Sequence, residues 1–187
     1  MTRPRSRASA PAAPARSPRA SRPARKAGVS VRPIRQADLA RVWELIHGLA
    51  EYEKMLDLLT GTRERLGAML FGTTPVMFGR VAERADGRLV GYALYHHTWS
   101  SFRTNPRMWL EDLYVEESAR RSGAGRELFR AFVADALERG CHRVDWAVLQ
   151  WNPARRFYEA QGAGRTEADM LQYGLDAAGM RRLIGGR

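Results

Sequence analysis

The chain has 187 residues, 44% of them hydrophobic, which is enough for one ordinary globular domain and does not call for a second. No run of 18 apolar residues occurs and the first residues hold no apolar signal core, so neither a membrane span nor a secretory leader is expected, and the chain reads as soluble and cytoplasmic. The net charge is +11, but residues 1–28 carry eight basic side chains and no acid, leaving only +3 for the remainder.

That first stretch, made largely of Pro, Ala, Ser and Arg, cannot bury enough apolar surface to offset its chain entropy. It is expected to be a disordered basic tail. A solvated tail, a transit-like leader and an arm touching nucleic acid or an anionic surface all remain open for it. Order begins near Val29, where VSVRPI reads as a short strand. Ala37 and Asp38 open a helix in which Leu39, Val42, Leu45, Ile46, Leu49 and Tyr52 recur at helical spacing to about Glu53. A second helix is predicted from Thr62 to Phe71, stopped by Gly72 to Pro75.

VMFGRVAE and RLVGYALYHHT form a hairpin about Ala85, Asp86 and Gly87, and WLEDLYV, Trp109 to Val115, is a third strand. A glycine loop follows, then a helix to about Arg139 with Leu128, Phe129, Phe132, Val133 and Leu137 on its apolar face and Gly140 as its cap. HRVDWAVL gives a strand, Pro153 to Ala160 a short helix, and Met170 to Leu175 a weak last strand. This order predicts one α/β (α+β) domain over residues 29–187, built on a mixed sheet with helices against it. Cys141, the single cysteine, can form neither an internal disulfide nor a cysteine cluster for zinc, and suits a buried apolar position.

Chemistry concentrates after the third strand. In RRSGAGR a strand ends in a glycine-rich turn that runs straight into a helix, so unpaired N–H groups and the positive end of the helix dipole face whatever lies in front. Such a terminus binds phosphate. Gly123 and Gly125 allow close approach, while Arg120, Arg121 and Arg126 add charged donors. A helix-start turn with glycines for geometry and arginines for solubility is the alternative.

Arg120, Arg121, Ser122, Gly123, Ala124 and Gly125, directly after Leu-Glu-Asp-Leu-Tyr-Val, resemble the R/Q-x-x-G-x-G/A pyrophosphate loop of the GCN5-related N-acetyltransferase (GNAT) superfamily. WNPARRFYEAQGA resembles its second coenzyme A segment, although Asn152 to Tyr158 is one residue shorter than the usual spacing. Within the superfamily, GLAEYEKM, WLEDLYV and the pair Trp151-Asn152 resemble the diamine (spermidine/spermine) acetyltransferase group. The resemblance implies a mixed, mainly antiparallel central sheet and acetyl-CoA as co-substrate without a metal. It also implies a small amine acceptor and a homodimer.

The obstacle to such a reaction is that a primary amine with a pKa near ~10.4 is protonated at neutral pH and has no lone pair to attack with. The resemblance points to Glu111 as general base and to Tyr158 as the acid that protonates the departing thiolate. Leu113 would supply the oxyanion N–H, with pantetheine along Leu113, Tyr114 and Val115 and Asn152 nearby. Tyr52, Glu53, Asp112, Asp145 and Asp169 match positions that would hold a cationic acceptor. Phe157 is the expected aromatic anchor of the short helix, and Trp109, Trp146 and Trp151 are expected in the core. His96 and His97 are adjacent on a strand, so one of them faces the site. A protein lysine or an aminoglycoside as acceptor, and an acyl-CoA-binding module without catalysis, stay open.

Overall fold

The computed structural model describes residues 28–166 and 173–185. A five-stranded sheet runs β1 (Val29–Pro33), β2 (Phe78–Arg84), β3 (Leu89–Ser100), β4 (Asn105–Val115) and β5 (Val144–Trp146) in spatial as in chain order. The first four strands are antiparallel and β5 lies parallel to β4. Between β1 and β2 come helices α1 (Leu39–Glu53) and α2 (Arg63–Phe71), the latter capped by the Thr62 hydroxyl, which accepts from the Arg65 N–H. α3 (Ala124–Glu138) bridges β4 to β5, and α4 (Ala154–Glu159) follows β5. α5 (Ala177–Gly185) stands close to the C-terminus.

Both faces of the sheet are covered, so successive residues of β3 feed two different cores. Tyr92 and Leu94 meet Val42 and Leu45 of α1 and Leu66 and Leu70 of α2. Val90, Ala93 and Tyr95 meet Leu128, Phe129 and Phe132 of α3. Each fully buried side chain of this size contributes roughly 1.5–3 kcal/mol relative to exposure. A polar tie crosses the second core: the Arg80 guanidinium and the Tyr95 hydroxyl both donate to the buried Asp135 carboxylate, joining β2 and β3 to α3.

The register between β3 and β4 breaks at the site. Leu94 pairs with Asp112 and Tyr95 with Leu110, so Glu111 is one extra residue, a β-bulge. In a regular strand Glu111 and Asp112 would project to opposite faces. The bulge brings both carboxylates to the α1 side, Asp112 bonded to Tyr92 and Glu111 beside His96.

Several expected boundaries shift. β4 begins at Asn105 rather than Trp109, because the hairpin with β3 continues through Trp99 opposite Pro106 and Ser100 opposite Asn105. β5 stops at Trp146, so Ala147 to Leu149 are not strand. Of the strand predicted from Met170 to Leu175, residues 170–172 lie outside the described residues, and Tyr173 to Leu175 are not in a strand. α5 was not anticipated; the Asp176 carboxylate caps it by accepting from the Gly179 N–H at 2.6 Å. Among the described residues no helix is long and apolar enough to cross a membrane.

Candidate active site

The pairing of β4 with β5 ends at Leu110 opposite Trp146, while β4 runs on to Val115. The parted strands open a cleft of about 1400 Å³ between the end of α1, the start of α3 and α4. The Glu116 N–H donates to Val90 of β3, so by strand alternation the N–H groups of Leu113 and Val115 point away from β3 and into the cleft. The bulge sets this parity, because Met108 on its far side also turns its N–H away from β3, toward Arg143.

At one end of the cleft lies the glycine loop. Arg121 and Gly123 adopt left-handed conformations, φ +65° and +96°, which fold the loop so that α3 starts facing the cleft. The Ser122 hydroxyl accepts from the Ala124 N–H at 3.3 Å, and the other first-turn amides of α3 have no acceptor within the helix. A Cβ on Gly125 would lie 3.8 Å from Val115 and 3.9 Å from Leu113, ordinary contacts, so the protein's own packing does not require glycine there. A cradle for something placed close against that backbone does. Arg121, Arg126 and Arg130 line this end, Arg130 one helical turn beyond Arg126. The sequence reading missed Arg130; the four-residue spacing from Arg126 was the available signal.

Arg120 behaves differently from its neighbours. Its Nε donates to the Val115 carbonyl at 3.2 Å and its guanidinium lies 4.5 Å from the Tyr52 ring centroid and 6.0 Å from that of Tyr114. It ties the loop to the wall of the cleft by cation–π contact, and it lines the cleft as its neighbours do.

The other end is acidic. Glu53, Glu111 and Asp112 line it together with Tyr158, and Tyr52, in contact with Arg120, lies between this end and the loop. Burial, with Glu111 and Glu53 close by, pushes the Asp112 carboxyl up to about 6, although the Tyr92 hydroxyl at 3.1 Å favours its ionised form. Burial also raises Glu53, opposed by the amide of Asn152. Asn152 is itself buried, and its Oδ1 accepts from the Ala154 N–H at 2.9 Å, so it caps the turn into α4 and lines the cleft despite the short spacing to Tyr158. Tyr158 is pushed up to about 12, first by burial and then by Glu53 and Asp112. Its ring packs between Trp146, tilted at 4.9 Å, and Phe129, edge-on at 5.5 Å.

Residues 46–163 match the family model for the Acetyltransferase (GNAT) family. This chain belongs to that family. It is 36% identical over 167 residues to thialysine N-epsilon-acetyltransferase from Bos taurus, covering 84% of this chain and 98% of the relative. To a spermidine/spermine N(1)-acetyltransferase-like protein from Homo sapiens it is 31% identical over 140 residues, 71% of this chain and 20% of that one. Among solved structures, an integron cassette protein from the mobile metagenome of V. cholerae superposes with a TM-score of 0.67 at 24% identity, over 83% of this chain and 97% of that one, and so shares the fold. The protein is an acetyl-CoA-dependent N-acetyltransferase that acts on an amine.

Not every expected site residue of this acetyltransferase reaches the cleft. Ala124 is buried beneath the loop. Asp145 is not among the cleft residues; it is held by Arg143 at 2.5 Å and by Arg107 at 3.6 Å at the far side of β5 pairing. Asp169 lies outside the described residues. Tyr158, not Phe157, is the more deeply buried of the two helix aromatics, so its ring does the anchoring expected of its neighbour. Trp151 is 55% exposed and pairs with Tyr52 at 5.8 Å, whereas Trp146 is packed against the core. His96 faces Glu111, while His97 turns to Phe78 at 5.4 Å. Cys141 is buried and burial pushes its thiol up, which suits no nucleophile. Among the described residues no group of three or more His, Cys, Asp or Glu could hold a metal.

Proposed function

We propose that this acetyltransferase acts on a small, multiply charged amine of the polyamine or thialysine type. The observation that carries the reading is the convergence of Glu53, Glu111 and Asp112 at one end of a cleft whose other end is an arginine-rich helix terminus. A cation and an anionic carrier are thereby drawn to opposite ends of one slot, with their reactive groups at the parted strands between them. The names of the relatives, one thialysine and one spermidine/spermine type, support the same acceptor class.

In this reading Arg121, Arg126 and Arg130, with the backbone of Ser122, Gly123 and Gly125, hold the pyrophosphate and nearby phosphates of acetyl-CoA. Leu113 and Val115 present cleft-facing N–H groups to pantetheine and to the oxyanion. Glu111 removes a proton from the ammonium, directly or through water, and the freed amine attacks the acetyl carbon. Tyr158 protonates the leaving sulfur. Its high pKa keeps it protonated at neutral pH, and a bound cation offsets the charges of Glu53 and Asp112 that raise it, which moves Tyr158 back toward an ordinary tyrosine and makes it the better acid. Within the same proposal the catalytic unit spans residues 29–187, works as a cytoplasmic homodimer, and carries residues 1–28 as a basic tail able to meet nucleic acid or another anionic surface.

The test is release of free thiol from acetyl-CoA in the presence of spermidine, putrescine, thialysine, lysine or a basic peptide, beside a Tyr158→Phe control. Release with the polyamines or thialysine, lost in the control, supports the reading. Release only with the peptide would move the acceptor to protein lysine, and acetyl-CoA binding without release for any acceptor would leave a binding module.

A further inference from the structure

His96 stands next to Glu111 with one ring nitrogen committed elsewhere. Its Nδ1 is 3.1 Å from the carbonyl oxygen of His97, and its Nε2 is 3.5 Å from Oε2 of Glu111. A carbonyl only accepts, so the first contact is a hydrogen bond when Nδ1 carries the hydrogen. The neutral ring then aims the Nε2 lone pair at the carboxylate. Two lone pairs facing each other are stable with one proton between them, and the ring and the carboxylate are each part-exposed, 34% and 52%, so that proton has an exit to water.

We propose that His96 is a positioning residue for the general base: it orients the Glu111 carboxylate and takes from it the proton stripped from the acceptor amine. The proposal rests on the reading of Glu111 as base. From β4 the charged group facing the ring is Glu111, and from its own strand it is His97, whose protonation is disfavoured by burial, Arg139 and His96 itself. β2 begins opposite Tyr95 and adds no side chain beside it.

The protons balance. An ammonium nitrogen carries three hydrogens and the amide product one. The first passes to Glu111, from its carboxyl to His96 Nε2, and from the imidazolium to water. The amine nitrogen then bonds to the acetyl carbon, the carbon–sulfur bond breaks, Tyr158 gives its proton to sulfur, and the second nitrogen hydrogen restores Tyr158. One proton reaches solvent per turnover, by way of His96.

The experiment compares His96→Ala, His96→Gln and Glu111→Gln in the full chain for kcat and KM of the amine, for acetyl-CoA affinity, and across pH. The expected result is a kcat lowered about tenfold or more in both His96 variants, in keeping with the loss of an outer partner of a working group. Acetyl-CoA affinity is unchanged, the acid side of the pH profile moves, and added imidazole restores turnover to His96→Ala in a saturable way. A merely structural histidine would not give imidazole rescue or a moved profile. If Glu111→Gln is slow while both His96 variants keep the normal kcat and profile, the role of His96 is overturned and the base stands. If His96→Ala is slow, folded and deaf to imidazole, with His96→Gln keeping the wild-type profile, the relay is overturned as well. Normal turnover of Glu111→Gln across pH would overturn the base reading beneath it.

Discussion

The Tyr92 hydroxyl donates to the Asp112 carboxylate at 3.1 Å across the β3–β4 pair, holding an acid that burial has raised to about 6. Tyr92 is fully buried and rigid, so the carboxylate is fixed on the α1 side of the cleft before any substrate arrives. A buried carboxylate held in this way has a cost in the free protein, and that cost can be measured.

Because the folded pKa of Asp112 lies above its ordinary value of 3.8, its favourable contribution is complete below about pH 3.8 and disappears as pH rises through 6. Above that the ionised carboxylate destabilises the fold by roughly 2–3 kcal/mol. Asp112→Asn should therefore be more stable than the parent at pH 8 and equal to it near pH 4, seen in denaturant unfolding at the two pH values. The same variant should raise KM for the amine and leave acetyl-CoA affinity alone.

Glu111→Gln should lower kcat by about 10²–10⁴ with the affinity for acetyl-CoA retained. The deficit should widen below pH 8, where more of an amine with pKa near ~10.4 is protonated and depends on the base. Thiol release across pH, beside binding measured separately, decides it; equal turnover of parent and variant at every pH would falsify the assignment.

The fold was legible where packing repeats along the chain. Leu39, Val42, Leu45 and Leu49 sit at helical spacing, and α1 ends at Glu53 as the pattern indicates. The first half of β4 was not legible, because Pro106 argues against a strand interior, yet its ring needs no donor opposite the exposed Trp99 near the hairpin end. The placement of Glu111 and Asp112 on one face was hidden for a different reason: a bulge is a property of two strands in register, and only one of them is WLEDLYV. Arg120 and Asp145 show a further limit. Sequence supplies their charge, but Tyr52 and Arg143, which claim that charge, come from distant elements or from an unforeseen side-chain direction.

Tyr158→Phe keeps the ring that packs on Trp146, Phe129 and Phe157, so the variant should unfold within about 1 kcal/mol of the parent. It should nonetheless release thiol about a hundredfold more slowly, since the hydroxyl proposed as the acid is gone. A melting scan and a rate on the same sample separate the two roles. A large loss of stability with an unchanged rate would leave Tyr158 as packing alone.

Arg80→Met tests the tie beneath the site. Burial would raise Asp135, but Arg80 and Tyr95 outweigh it and hold the carboxyl below its usual range, so the pair's contribution is present above about pH 3.8 and lost as pH falls. Removing Arg80 leaves a buried charge without its cation, and about 3–5 kcal/mol should be lost in denaturant unfolding at pH 7. Asp135→Leu added to Arg80→Met should recover part of that loss, because no unpaired charge remains, and adding Tyr95→Phe should recover more by removing the buried hydroxyl that had donated to Asp135.

Gly125→Ala separates what the fold wants from what the ligand wants. The position has no left-handed φ, and the new methyl meets only ordinary contacts with Val115 and Leu113. Replacing glycine with alanine within a helix lowers the entropy lost on folding, so the variant should gain about 0.5–1 kcal/mol. The methyl also stands on the wall of the cleft where, in the proposed mode, the first-turn amides meet the phosphates, and acetyl-CoA should bind about tenfold more weakly, a difference of about 1.4 kcal/mol. Calorimetric titration with acetyl-CoA and with free coenzyme A should show the same loss for both, because the proposed mode puts the acetyl group away from Gly125, toward the acidic end of the slot. A variant that is more stable and binds both ligands as the parent does would show that the backbone at Gly125 is not where the pyrophosphate rests.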